Sequence, residues 1–313
     1  MSSSPTSPSS PIAPSALLLI EDLERQSFPE RALYVVATPI GNVADISLRA
    51  IKVLSLADAV ACEDTRNTGQ LMTRLGLSKP LFSAHQHNER EIADKIIARL
   101  QAGERIALVS DAGTPAVSDP GARIVDAVLE AGLRVVPIAG PSAAIASLSA
   151  SGLLSDQFSF IGFLPSKAAQ RDQLLAGLTS SAATLVVYEA PHRIVDTVEA
   201  LARHFGPDRR IVIGRELSKL FEQIHRCALS DARGWLEADA NRQKGEFVLL
   251  IEANTSADDD GLSEARRILQ ILLEEHPVSQ AAALAARITG AKKNALYQIA
   301  LDMQNKDCLL YTS

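Results

Sequence analysis

The run Ser110-Asp111-Ala112-Gly113-Thr114-Pro115-Ala116-Val117-Ser118-Asp119-Pro120-Gly121 crowds hydroxyls, carboxylates, glycines and prolines into one short stretch. Glycine permits close approach of backbone to a ligand and proline stiffens the loop, so the stretch can hold the polar atoms of a small molecule. It does not match GxxxxGK[ST] or GxGxxG, so a nucleotide phosphate is not the expected ligand. The competing reading is a capped strand–helix turn, with Asp119 as N-cap and Pro120 at the first helical position. Three further loops carry the same chemistry after apolar runs: Thr38-Pro39-Ile40-Gly41-Asn42, Ala139-Gly140-Pro141-Ser142-Ala143 and Glu189-Ala190-Pro191-His192-Arg193. Together they make one rim of Gly, Pro and small polar residues, as a cofactor cleft requires.

Charged clusters add candidates. Glu63-Asp64-Thr65-Arg66 is either a ligand-facing carboxylate or a helix start with acids near the dipole. Arg215-Glu216-Leu217-Ser218-Lys219 is either a surface ion-pair strand or a phosphate clamp. His85-Gln86-His87-Asn88 offers two imidazoles but no third ligand nearby, so no metal is expected. Cys62, Cys227 and Cys308 are too scattered for a disulfide framework or a zinc knuckle, which fits a reducing cytoplasm.

These loops need elements to position them. Strand-like runs at Leu33–Ala37, Ala59–Cys62, Arg105–Val109 and Arg134–Pro137 alternate with amphipathic stretches at Ser47–Leu56, Glu89–Gln101 and Gly121–Ala131. That alternation predicts βαβ units and a mostly parallel sheet, with functional loops at the carboxyl ends of the strands. After a small-residue helix at Ser142–Gly152, a second set follows. Its strands are Phe158–Phe163, Ala183–Tyr188, Arg210–Gly214, Leu220–Cys227 and Glu246–Glu252, and its helices are Gln170–Leu178, Ile194–His204 and Ser230–Ala238.

The expected organisation is a disordered Ser/Pro-rich tail (1–30), an N-terminal α/β domain (31–150) and a second α/β domain (151–254). An acidic linker (255–261), a C-terminal helical segment (262–303) and a tail (304–313) complete it. The default ligand site lies between the two α/β domains. The last segment reads as three helices parted by Pro277 and Gly290, and Val278–Leu301 holds Arg287, Lys292 and Lys293 without an acid. That spacing fits a helix-turn-helix with a recognition-type helix, or else a hairpin covering a core or dimer face.

The 313 residues are 47% hydrophobic and carry a net charge of −6. The apolar fraction excludes a wholly disordered chain, and no apolar run reaches the length of a membrane span. Residues 1–30 and Asp258–Asp260 contribute −3 each, so the rest is neutral and the total does not argue against an RNA partner.

In order along the chain, the strings TPIGN (Thr38–Asn42), EDTR (Glu63–Arg66), SDAGTPAVSDPG (Ser110–Gly121), GPSA (Gly140–Ala143), YEAPHR (Tyr188–Arg193), RELSK (Arg215–Lys219), KGEF (Lys244–Phe247) and KKNALY (Lys292–Tyr297) resemble the tetrapyrrole methylase superfamily. Within it they are most similar to the branch that methylates a cytidine ribose 2′-hydroxyl in the decoding centre of 16S rRNA. The resemblance spans residues 33 to 303. It implies two α/β domains with S-adenosylmethionine in the cleft between them, a cytoplasmic homodimer, and 16S rRNA within the small ribosomal subunit as partner. By motif position it implies a cofactor lining of Asp111, Gly113, Thr114, Val117, Ser142, Ala143, Tyr188 and Gly245. Asp64, Glu189 and Lys219 are candidates to activate the hydroxyl. Arg66, His192, Arg193, Arg215, Lys292 and Lys293 are candidates for RNA phosphates. Relatives in the superfamily act on other substrates, so a tetrapyrrole or protein methylase and a non-catalytic RNA-binding protein stay open as alternatives.

Overall fold

The structure is a computed structural model that describes residues 21–84, 89–254 and 260–310. The first sheet has strand order β3-β2-β4-β1-β5 and is parallel throughout. Its strands are β1 (Ala32–Val36), β2 (Ala59–Cys62), β3 (Leu81–Ser83), β4 (Arg105–Val109) and β5 (Arg134–Ile138). Between them run α1 (Leu48–Leu56), α2 (Thr65–Arg74), α3 (Glu89–Gln101) and α4 (Ala122–Glu130). Alternation decides which residues face which helices. Tyr34 and Val36 pack with Val53, Leu54 and Met72 on one face, while Leu33, Ile106 and Leu108 pack with Ile96, Leu100 and Ile124 on the other. Strands covered on both faces read as continuous apolar runs, which is why the sequence reveals them.

Helix α5 (Ala143–Ser151) leads into the second sheet, whose order is β6-β7-β10-β8-β9. Its elements are β6 (Phe158–Phe163), α6 (Ala168–Ala176), β7 (Thr184–Glu189), α7 (Ile194–Phe205), β8 (Arg210–Arg215), β9 (Gln223–Ala228), α8 (Leu229–Glu237) and β10 (Phe247–Ile251). This sheet is mixed, unlike the parallel first sheet. Only β6 and β7 are parallel, and β10 inserts antiparallel between β7 and β8. One face packs on α6, α7 and α8, and the other on the small side chains of α5, whose buried residues are Ala144, Ser147 and Ser151.

The chain before β1 departs from expectation. Residues 21–30 are not a free tail: Leu23 is buried, Phe28 packs against the first core, and the Tyr34 hydroxyl donates to the Pro29 carbonyl at 2.7 Å. Lys52 and Arg105 pair with Glu24 and Glu30. Helices α9 (Asp260–Leu273), α10 (Val278–Thr289) and α11 (Lys293–Leu310) form the C-terminal unit. Asp260 therefore opens a helix rather than closing a linker, and α11 runs on through residues expected as a tail. Ala265, Leu269, Ala281, Ala282, Ala285, Leu296 and Ala300 make a core of its own. Gly290 ends α10 in the left-handed conformation, as a C-cap requires. Residues 1–20, His85-Gln86-His87-Asn88, residues 255–259 and residues 311–313 lie outside the described residues.

Candidate functional site

The four Gly/Pro loops converge. Thr38 and Gly113 exchange two backbone hydrogen bonds of 2.9 and 3.0 Å, and the Thr38 hydroxyl reaches the Ser110 carbonyl at 3.1 Å. The Thr114 hydroxyl donates to the Pro141 carbonyl at 3.3 Å. From the second domain, the Tyr188 hydroxyl accepts from the Ala144 N–H at 3.2 Å, and its ring meets Phe160 and Phe163 edge-on. These contacts enclose a cavity of about 390 Å³ whose lining includes Ile40, Gly113, Thr114, Val117, Asp119, Ser142, Ala143, Tyr188, Glu189, Leu217, Glu246 and Val248.

Of the expected cofactor residues, Gly113, Thr114, Val117, Ser142, Ala143 and Tyr188 line this cavity. Gly113 has φ +81°, and a Cβ there would lie 3.6 Å from Ile40 Cγ2, so glycine is what lets the loop turn beside the ligand space. Asp111 and Gly245 do not line it. Asp111 is turned to the neighbouring helix, where its oxygens accept from the Asp64 N–H at 3.1 Å and Asn67 Nδ2 at 2.7 Å. Gly245 stands one residue before the lining. A Cβ on it would fall 2.5 Å from Glu216, which explains the glycine without a ligand.

The capped-turn reading of Asp119 fails. Gly121 is the N-cap of α4, and its N–H is taken at 2.6 Å by the buried Glu89 carboxylate of α3, a residue that sequence analysis passed over. Asp119 is left in the cavity wall. Burial raises its pKa, with Asp111 adding to the shift against a hydrogen bond from Ser110. Glu63 is raised in the same way, by burial and then by Asp119.

The three expected activating residues occupy different settings. Asp64 is the N-cap of α2, and the Arg66 guanidinium holds its carboxyl down at about 2. Glu189 lines the cavity with a fully buried side chain. Its oxygens accept from Thr197 Oγ1 at 2.7 Å and the Ala190 N–H at 2.8 Å, and Arg193 lies within 3.3 Å. Lys219 Nζ sits 2.9 Å from Glu216 and 2.8 Å from Glu246, with its stem against Gly41 of the first domain. Burial pulls its pKa down, but the bonds to Glu246 and Glu216 outweigh this and leave it raised. Lys219 is thus an ammonium held at the domain junction. A hydrogen bond between Ser218 and Asp45 closes the same junction.

The expected RNA contacts divide. Arg66, His192, Lys292 and Lys293 are exposed. Arg215 is buried and donates to the Lys244 and Phe221 carbonyls and to Gln223, so its guanidinium is spent inside the fold. Arg193 likewise donates to the Leu164 and Pro165 carbonyls. Sequence spacing does not reveal these internal acceptors, because β10 and the β6 loop come from far along the chain.

Among the described residues, none of those lining the cavity is Lys, Arg or His, and the lining presents Asp119, Glu189 and Glu246 beside Ile40, Val117, Leu217 and Phe247. That lining suits a ligand with a cationic centre and an apolar ring system. Among the described residues, no group of three His, Cys, Asp or Glu side chains is placed to hold a metal. No helix among them is long and apolar enough to cross a membrane.

Fold and cleft are those of a two-domain methylase, and residues 32–233 match the model of the Tetrapyrrole (Corrin/Porphyrin) Methylases. Solved structures agree on the fold. Uroporphyrin-III-C-methyltransferase from Thermus thermophilus aligns with TM-score 0.52 at 21% identity, over 71% of this chain and 94% of that one. The methyltransferase CobJ aligns with TM-score 0.54 at 18% identity, again over 71% and 94%. Residues 259–304 match the RsmI C-terminal HTH domain. Ribosomal RNA small subunit methyltransferase I of Escherichia coli O157:H7 is 47% identical over 87% of this chain and 95% of its own length. The Pseudomonas aeruginosa protein of that name is 49% identical over 88% and 98%. The chain belongs to the ribosomal RNA small subunit methyltransferase I family, a branch of the tetrapyrrole methylases.

Proposed function

We propose that this chain methylates the ribose 2′-oxygen of a cytidine in the decoding centre of 16S rRNA, with S-adenosylmethionine bound in the interdomain cavity. The observation that carries the cofactor reading is the lining itself, acidic and apolar with no basic side chain among the described residues, at the meeting of four Gly/Pro loops. The RNA reading is supported by the names of the family's curated members and by the C-terminal helices. When bound, the cofactor supplies a methyl group already activated by its sulfonium.

The chain's own residues then divide the remaining work. Gly113, Thr114, Val117, Ser142, Ala143 and Tyr188 hold and orient the cofactor, so that positioning supplies much of the rate. Asp119 takes the proton from the ribose hydroxyl. It is the cavity carboxylate with a raised pKa, whereas Asp64 is too weak a base and both oxygens of Glu189 are occupied. Lys219, fixed as an ammonium, favours the developing negative charge on the ribose oxygen. Glu189 frames the wall through Thr197 and Arg193. Arg66, His192, Lys292 and Lys293 contact phosphates, and the protein works in the cytoplasm as a homodimer on the small subunit.

Methyl transfer to unmethylated small subunits, followed by alkaline hydrolysis of the labelled RNA, tests this reading. A 2′-O-methyl blocks attack on the adjacent phosphate, so the labelled product should emerge as an alkali-resistant dinucleotide. Label released in ordinary mononucleotides refutes the ribose assignment.

A further inference from the structure

A second, more open hollow of about 880 Å³ lies beside the interdomain cavity and is walled by residues of the first domain. Its wall is the outer face of α2, with Arg66, Asn67, Gln70, Thr73 and Arg74, and the rest comes from Pro39, Gly41, Val43 and Asp111. We propose that this groove is a cradle for the sugar–phosphate backbone of the RNA strand entering the cleft, with Arg74 and Gln70 as contacts alongside Arg66. The inference rests on the rRNA methyltransferase reading and adds to it where the strand lies.

Arg66, Gln70 and Arg74 recur every four residues, which places them in one row along the helix. The row spans about 12 Å at 1.5 Å per residue, room for more than one sugar–phosphate unit. From Thr65 to Arg74 there is no acidic residue. Asp111 is the carboxylate in the groove wall, and its oxygens are already engaged by Asn67 and the Asp64 N–H. Asp64 in turn is engaged by Arg66. Arg74 is exposed and makes no ion pair among the described residues. The groove therefore offers Arg74 and side-chain amides where the cavity offers the Asp119 carboxylate, since Arg66 is paired with Asp64, and Glu189 and Glu246 are paired with Arg193 and Lys219. A polyanion fits one and a sulfonium the other.

Position links the two. The β1 loop gives Ile40 to the cavity and Pro39 and Gly41 to the groove, and the β4 loop gives Gly113 to the cavity and Asp111 to the groove. Lys219, lying on Gly41 and bonded to the cavity residue Glu246, marks the point where a ribose would pass from one to the other. Arg, Gln and Thr side chains of this kind contact phosphate and sugar, fixing register rather than reading bases.

The test uses the full chain, as Arg74→Ala, Arg74→Glu and Gln70→Ala. Binding of a single-stranded 16S rRNA fragment spanning the decoding centre is measured across a salt series, together with KM and kcat on unmethylated small subunits. Arg74→Ala should raise KM several-fold, leave kcat and S-adenosylmethionine affinity within about twofold, and reduce the slope of log affinity against log salt by about one. Arg74→Glu should raise KM further, and Gln70→Ala should raise it with the slope unchanged. Wild-type KM and salt slope in both Arg74 variants would overturn the proposal. The binding arm reads the groove even if wild-type transfer to RNA fails, so failure of the groove and failure of the rRNA reading are told apart.

Discussion

Around the interdomain cavity the chain spends loops, carboxylates and strained backbone, including Ala116 at φ +65°, while the C-terminal unit spends almost nothing but alanine and leucine. The cavity walls come from residues as distant as Ile40 and Val248 and exist only when both sheets are assembled. The helical unit closes its core within residues 265–300 and presents Lys292 and Lys293 at the start of α11. Strain and desolvated acids collect where chemistry needs fixed groups. Docking to a charged surface needs only a rigid carrier for cations. The contrast predicts that the two regions fail separately.

The sharpest break is truncation at Asn254. Transfer to rRNA should fall by about a thousandfold through lost phosphate contacts, while cofactor affinity stays within twofold. If the helices instead seal the core, melting temperature and cofactor affinity will drop together in the same sample. Next comes Asp119→Asn, which should lower kcat by about a hundredfold if Asp119 is the base. It should also raise thermal stability at pH 7. A carboxyl whose pKa is raised on folding contributes stability below its unfolded pKa and loses it as pH rises through the folded value, so the ionised form is a burden that asparagine removes. The gain should vanish below about pH 4, where both states hold the proton. A stability curve parallel to wild type at all pH values would contradict the burial of Asp119.

Gly113→Val should weaken cofactor binding about tenfold or more, since a β-branched residue at that positive φ costs over 1 kcal/mol before any steric contact with Ile40. Calorimetry with the fold checked by circular dichroism decides it. The smallest effect belongs to Lys292→Ala with Lys293→Ala. RNA binding should lose about two from its salt slope, and the cofactor titration should not change.

The first sheet was nearly legible in the sequence because its strands are covered on both faces and their ends carry Gly and Pro. The exception, β3, is three residues long and only half-buried, too short for a periodicity to register. The second sheet hid its order, since nothing in residues 247–251 says that they pair between two earlier strands. The same long-range pairing decides the site. Phe247 stands level with Glu189 on one side and Arg215 on the other, which places those two charged residues inside the structure rather than at its surface. Asp111 looked like a ligand residue from its loop but answers to α2. Glu89 looked like an ordinary helical acid but holds the end of that loop in place.

The paired hydrogen bonds between Thr38 and Gly113 form an isolated antiparallel bridge just beyond the ends of β1 and β4, tying together two of the loops that line the cavity. Amide protons at these two positions should therefore exchange with solvent as slowly as those of the central strands, in protein free of any ligand. The ordering entropy of these two loops is then settled during folding, and a ligand that enters the cavity has less of it left to lose.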